Sequence, residues 1–291
     1  MNESTNTHST QALAQLESLF GTVGEASMKK EIARLRLAAT IASSLVLIHP
    51  AFAGESLRVK TPRGAELEVV ADLPSGPGPF AAIVLAPGQG YHLALPALEQ
   101  TAQALVAQGI AVYRFNWAYF SGNPKAGKPS EDLSLELEDL RTVLALAKAE
   151  PRVAGARLSV GGKSLGSVVA WRALAADAGL RSGLFLTPVC SRTPQGQAVP
   201  VSHADENYPG IASERRPIAF IAGDQDPLCA ASVLYRFAAP APGPARVAIV
   251  GGDHSFENRK LPAAAADAAR IRNIRAVALL AGNFIVENSA D

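Results

Sequence analysis

Three residues of this chain have the types and the order that acyl-transfer chemistry requires: Ser164, Asp226 and His254. Ser164 stands in Gly162-Lys163-Ser164-Leu165-Gly166, at the end of an apolar run that starts at Leu158. Glycine-x-serine-x-glycine between a strand and a helix is the pattern of a nucleophile elbow, a tight turn that lifts one hydroxyl over the end of a sheet. A serine hydroxyl is a poor nucleophile at neutral pH and needs a base within hydrogen-bond reach. That base, a histidine, needs a carboxylate to fix its tautomer and to stabilise its cation. Both follow in the chain, Asp226 in Gly223-Asp224-Gln225-Asp226-Pro227 and His254 in Gly252-Asp253-His254-Ser255-Phe256.

Taken singly, each has an ordinary explanation. A serine often opens a helix, an aspartate before proline often sits in a turn, and a loop histidine is often solvated. Their order and their places just past successive apolar runs argue for joint use. Asp224 and Asp253 compete for the role of the acid. An acid next to the histidine in sequence points away from its ring, and the longer offset of Asp226 suits a carboxylate reaching across to the histidine loop. Such chemistry also requires two N–H groups for a developing oxyanion. Leu165 would supply one at a helix N-terminus, and Gln89 in Pro87-Gly88-Gln89-Gly90-Tyr91 would supply the other, with Gly90 second.

The elements that must hold these residues read as follows. Ser56–Lys60 and Glu66–Leu73 form a hairpin around Pro62-Arg63-Gly64, and Ala81–Ala86 is a continuous apolar run of the kind covered on both faces. Helix Pro96–Gln108, strand Ala111–Phe115 and a long helix opened by Ser130 as N-cap and running to about Ala149 come next. Strand Leu158–Val160 leads into the elbow and helix Leu165–Ala176. Strands Gly183–Leu186 and Ile218–Ala222, helix Ala231–Ala238, strand Arg246–Val250 and a helix from Pro262 to about Leu280 complete the order. This alternation predicts a mostly parallel sheet with helices on both faces, its chemistry at the carboxyl ends of the strands.

Composition narrows the function classes. The chain has 291 residues, 48% of them hydrophobic, and a net charge of +1, which suits one large α/β domain and provides no electrostatic footprint for nucleic acid. No His/Cys cluster has metal-ligand spacing and no Lys-Ser/Thr follows the glycines at phosphate-loop spacing, so neither metal nor organic cofactor is expected. The start of the chain differs from the rest. Residues 1–27 are polar, and residues 28–53 combine Lys29-Lys30, the apolar run Leu37–Ile48 and Ala51-Phe52-Ala53. Those are the parts of a secretory signal peptide. The apolar run falls short of the roughly 20 residues a bilayer span needs, so export of a domain covering residues 54–291 is expected, with no stable membrane anchor. The alternatives are an amphipathic helix of a cytoplasmic protein and a simple anchor. Cys190 and Cys229 each follow a core strand at the same end of the sheet. If those strands are neighbours a disulfide is sterically reasonable, and two small buried thiols are the other reading.

Across about Ser56–Asp291 these motifs resemble the α/β-hydrolase superfamily. Arg114-Phe115-Asn116-Trp117-Ala118-Tyr119, Gly161–Ser167, Gly223–Pro227 and Gly252–Phe256 are similar to the small, lid-poor predicted hydrolases of the KANSL3/Tex30-like and dienelactone-hydrolase-like groups. The chain departs from them at Ala86-Pro87-Gly88, where relatives usually carry a histidine before the glycine. The resemblance implies a serine hydrolase acting on a small-molecule, ester-like substrate, or a thioesterase or peptidase with the same machinery, or a non-catalytic binding scaffold. Residues 187–217 hold no long amphipathic helix for a lid, so a shallow site edged by Asn116, Trp117, Tyr119, Tyr91 and His92 is expected. A small or medium ester is favoured over long-chain lipid.

Overall fold

The structure, a computed structural model, describes residues 54–289. The signal-like segment and the polar extension before it lie outside the described residues.

Ten strands and seven α-helices follow in chain order among the described residues, with one 3₁₀ turn at Ile211–Ser213. They are β1 (Glu55–Lys60), β2 (Glu66–Asp72), β3 (Phe80–Ala86), α1 (Pro96–Val106), β4 (Ile110–Phe115), α2 (Ala118–Gly122), α3 (Ser134–Ala149), β5 (Val153–Lys163), α4 (Leu165–Ala176) and β6 (Gly183–Leu186). Then come β7 (Ser191–Arg192), β8 (Val201–Ser202), α5 (Ala204–Asn207), β9 (Ile218–Gly223), α6 (Ala231–Ala238), β10 (Ala245–Val250) and α7 (Ala263–Asn288). Eight strands make one sheet in the order β1-β2-β4-β3-β5-β6-β9-β10. The first two pairings are antiparallel and the rest parallel. This is the α/β-hydrolase fold, with a hairpin at its start.

The sheet is covered on both faces. Leu98 and Leu105 of α1 and Ile274, Val277 and Phe284 of α7 pack against Ile83, Leu85 and Val112 on one face. On the other, Leu140 and Val143 of α3, Val169 and Trp171 of α4 and Phe237 of α6 meet Val84, Val160 and Phe220. That explains why the central strands read as unbroken apolar runs: every residue of β4 and β9 is buried. Among the described residues no helix is long and apolar enough to cross a membrane.

Three local readings need correction. Helix α3 starts at Ser134 rather than Ser130, because the Ser130 N–H and hydroxyl both donate to the buried Glu136 carboxylate. Leu133, the residue before the helix, takes a left-handed conformation at φ 59°. Strand β5 is longer than Leu158–Val160, reaching Lys163 because Gly161 and Gly162 keep pairing with β3 and β6. Helix α7 runs on to Asn288, past the expected end near Leu280, because Ala281, Phe284 and Ile285 are buried.

Candidate active site

The elbow at Ser164 follows from its neighbours' size. Ser164 holds φ 54° and ψ −121°, a conformation that costs a non-glycine residue free energy and persists only where its surroundings impose it. A Cβ on Gly162 would collide with the Gly166 carbonyl, and one on Gly166 would collide with the carbonyls of Ala86 and Pro87. Both positions therefore accept only glycine if β5 is to turn directly into α4 beside β3. The Ser164 N–H donates to the Leu186 carbonyl at 3.0 Å, fixing the turn to β6.

Two further loops reach this point. His254 Nε2 lies 2.7 Å from Ser164 Oγ, and His254 Nδ1 lies 2.9 Å from each carboxylate oxygen of Asp226. The Asp226 side chain is fully buried, whereas the imidazole is 20% exposed. Asp226 Oδ1 also accepts the Leu228 N–H at 2.8 Å, which orients the carboxylate. The competing acids are occupied elsewhere. Asp224 accepts the Gly252 N–H at 2.7 Å and so stitches the acid loop to the histidine loop, while Asp253 accepts the N–H groups of Ser255 and Glu257 within its own turn.

Gln89 and Leu165 line one cavity with Ser164, of about 430 Å³. Among the described residues neither of their N–H groups has an acceptor. The apolar part of that cavity is Leu133, Val168, Val189 and Leu228, and its polar rim is Arg192, His203, Glu206 and Asn207. Most of these belong to the excursion between β6 and β9, residues 187–217, where the sequence predicts no long amphipathic helix.

Several cross-links hold the excursion. Cys190 and Cys229 are joined in a disulfide, as the neighbouring placement of β6 and β9 allows. Tyr208, fully buried, takes the Val189 N–H at 2.7 Å on its hydroxyl and shares a 2.8 Å bond with Ser167 Oγ in the first turn of α4. Burial holds this phenol well above the ordinary tyrosine range. Asn207 Nδ2 donates to the Val189 carbonyl at 2.7 Å, so both sides of that peptide are held. A single tyrosine in an otherwise polar, Pro/Gly-rich stretch was the one local signal available for this wall.

None of the expected rim residues Asn116, Trp117, Tyr119, Tyr91 and His92 lines the cavity beside Ser164. Trp117 is fully buried, with Nε1 donating to the Pro87 carbonyl at 2.9 Å. Asn116 spans Glu68 Oε2 and the Leu93 N–H, each at 2.8 Å. The chain leaving β4 passes beneath the Pro87–Tyr91 loop, so these residues brace that loop from behind. Tyr119 also lies off the cavity, its phenol pushed up to about 12 chiefly by burial. Tyr91 turns its ring to the Lys163 ammonium, 4.3 Å from the ring centre, and His92 stacks near Phe120. Among the described residues no group of three or more His, Cys, Asp or Glu is placed to hold a metal ion.

Residues 79–285 match the alpha/beta hydrolase domain family. The chain belongs to that family. Among curated proteins none matches the chain. Solved structures share its fold at low identity. An alpha-beta serine hydrolase homologue from Coxiella burnetii is 17% identical with a TM-score of 0.58, over 78% of this chain and 96% of that one. A serine hydrolase without a lid from Xanthomonas campestris is 19% identical with a TM-score of 0.55, over 80% and 94%. Est1E from Butyrivibrio proteoclasticus, solved with ferulic acid bound, is 14% identical with a TM-score of 0.61, over 81% and 100%. The family match places the chain in the superfamily and the solved structures share its fold; neither reaches the narrower KANSL3/Tex30-like branch.

Proposed function

We propose that the protein is a serine hydrolase that cleaves small or medium carboxylic esters through Ser164, His254 and Asp226. The observation that carries this reading is His254 itself, with Nε2 2.7 Å from Ser164 Oγ and Nδ1 2.9 Å from both Asp226 oxygens. Ser164 Oγ attacks the ester carbonyl while His254 Nε2 takes its proton, and Asp226 stabilises the imidazolium. The N–H groups of Leu165 and Gln89 receive the oxyanion, the first aided by the N-terminus of α4. His254 returns the proton to the leaving alcohol, and water then attacks the acyl-serine by the same route in reverse. The broad apolar wall beside Ser164 would take the acyl part. The absence of any long helix between β6 and β9 among the described residues favours soluble over emulsified substrates.

The domain is also proposed to work after export, in an oxidising compartment, and the Cys190–Cys229 disulfide supports this.

Labelling with a fluorophosphonate probe tests the mechanism, with the expectation of stoichiometric labelling that Ser164→Ala abolishes. Labelling absent in both would favour a binding scaffold. A p-nitrophenyl ester chain-length series beside thioester and peptide substrates then separates the acyl classes, with the short and medium esters expected fastest.

A further inference from the structure

The residue before the nucleophile is a buried lysine, and nothing in the proposed reaction uses it. Lys163 ends β5 at 1% exposure, among the largest fully buried side chains of the protein. Its Nζ donates to the main-chain carbonyl of His254 at 2.8 Å and lies 4.3 Å above the centre of the Tyr91 ring. Two consecutive residues of one strand end thus hold one histidine: Ser164 meets its ring, and Lys163 meets its backbone.

We infer that Lys163 is a positioning residue whose buried ammonium sets the distance from His254 to Ser164, and that losing its charge slackens that setting and slows acyl transfer. This rests on the hydrolase reading above. A desolvated ammonium is costly to bury, and a methionine of similar length would fill the volume without that cost. The lysine is therefore better explained by what its charge holds than by packing. A charge-assisted bond to a carbonyl is stronger than a neutral one, and an aromatic face attracts only the cation. Displacing a catalytic group by about 1 Å can cost on the order of 10²-fold in rate.

The groups facing Nζ come from three loops. Asp226 lies after β9, Asp253, His254 and Glu257 lie after β10, and Tyr91 lies after β3, with Arg270 of α7 acting on Tyr91. Burial lowers Lys163 to about 8, the acids Asp226, Asp253 and Glu257 opposing that shift. Burial holds the Tyr91 phenol above the ordinary tyrosine range, so it stays neutral while the lysine loses its proton.

The test is the rate of fluorophosphonate labelling of the full chain between pH 7 and 10, with ester turnover measured alongside. Wild type should slow about tenfold with a midpoint near pH 8, following the loss of the ammonium. Lys163→Met should be slower throughout, by about 10–100-fold in kcat with KM within about threefold, and should lack the alkaline step. Lys163→Arg, which keeps its charge, should recover rate and hold it to higher pH. A Lys163→Met protein labelled at the wild-type rate with the wild-type profile overturns the inference. If neither variant folds, a wild-type profile flat from pH 7 to 10 does so. Labelling that never depends on Ser164 at any pH sinks the hydrolase reading instead, and this inference with it.

Discussion

The two walls beside Ser164 are built on different principles. The wall carrying Asp226 and His254 hangs from the carboxyl ends of adjacent parallel strands, β9 and β10, and its loops are short and tied to each other by backbone bonds such as Gln225 N–H to Gly252 O at 2.9 Å. The wall carrying Val189, Arg192 and Asn207 is a long excursion with two-residue strands and a four-residue helix. Sheet register positions the first wall. Cross-links distant in sequence position the second: a disulfide spanning 39 residues, and Tyr208 reaching back to Ser167. The first arrangement holds the fixed geometry that the proposed proton transfer needs, and the second leaves a surface whose residues can change without disturbing that geometry.

This contrast predicts that damage to the first wall appears in kcat and damage to the second in KM and stability. Ser164→Ala should lower kcat by about 10⁶-fold with little change in melting temperature, since the triad members act as a unit. Asp226→Asn should cost about 10⁴-fold in kcat by presenting the wrong histidine tautomer, whereas Asp224→Asn should cost less than about tenfold, because its amide oxygen can still accept the Gly252 N–H, in a weaker, uncharged bond. The reverse ranking in steady-state kinetics would transfer the role of the acid. Replacing Cys190 and Cys229 together by serine should remove about 2–4 kcal/mol from stability in denaturant unfolding and raise KM more than it lowers kcat. Tyr208→Phe should produce the smallest loss of stability, about 1–3 kcal/mol, because the Val189 N–H loses its acceptor while the Ser167 hydroxyl keeps the Ser164 carbonyl. A kcat loss larger for Tyr208→Phe than for Asp226→Asn would break the division between the walls.

The division also explains what could be read from residues alone. Ser164, Asp226 and His254 were legible because each follows an apolar run directly, so chain order and strand ends were enough to bring them together. The disulfide was legible only up to the condition that β6 and β9 be neighbours, which the sheet order satisfies. Asn116 and Trp117 misled because a residue just past a strand can face the cleft or the loop beneath it, and spacing does not distinguish the two. The cavity wall from Val189 to Asn207 left almost no pattern, since cross-links rather than periodicity shape it. Lys163 was hidden for a related reason: its partner is a main-chain carbonyl 91 residues further on.

The histidine loop hangs from the last strand of the sheet. Among the described residues β10 pairs only with β9; two of its six residues are exposed and the other four are only partly buried. A strand held along one side opens at lower free energy than the interior of the sheet, so under mild denaturant His254 should come away from Ser164 while Trp117 and Trp171 remain packed at the centre. Ester turnover would then fail at a lower urea concentration than tryptophan fluorescence reports for the global transition, and a cysteine-free stitch between β10 and α7 would bring the two midpoints together.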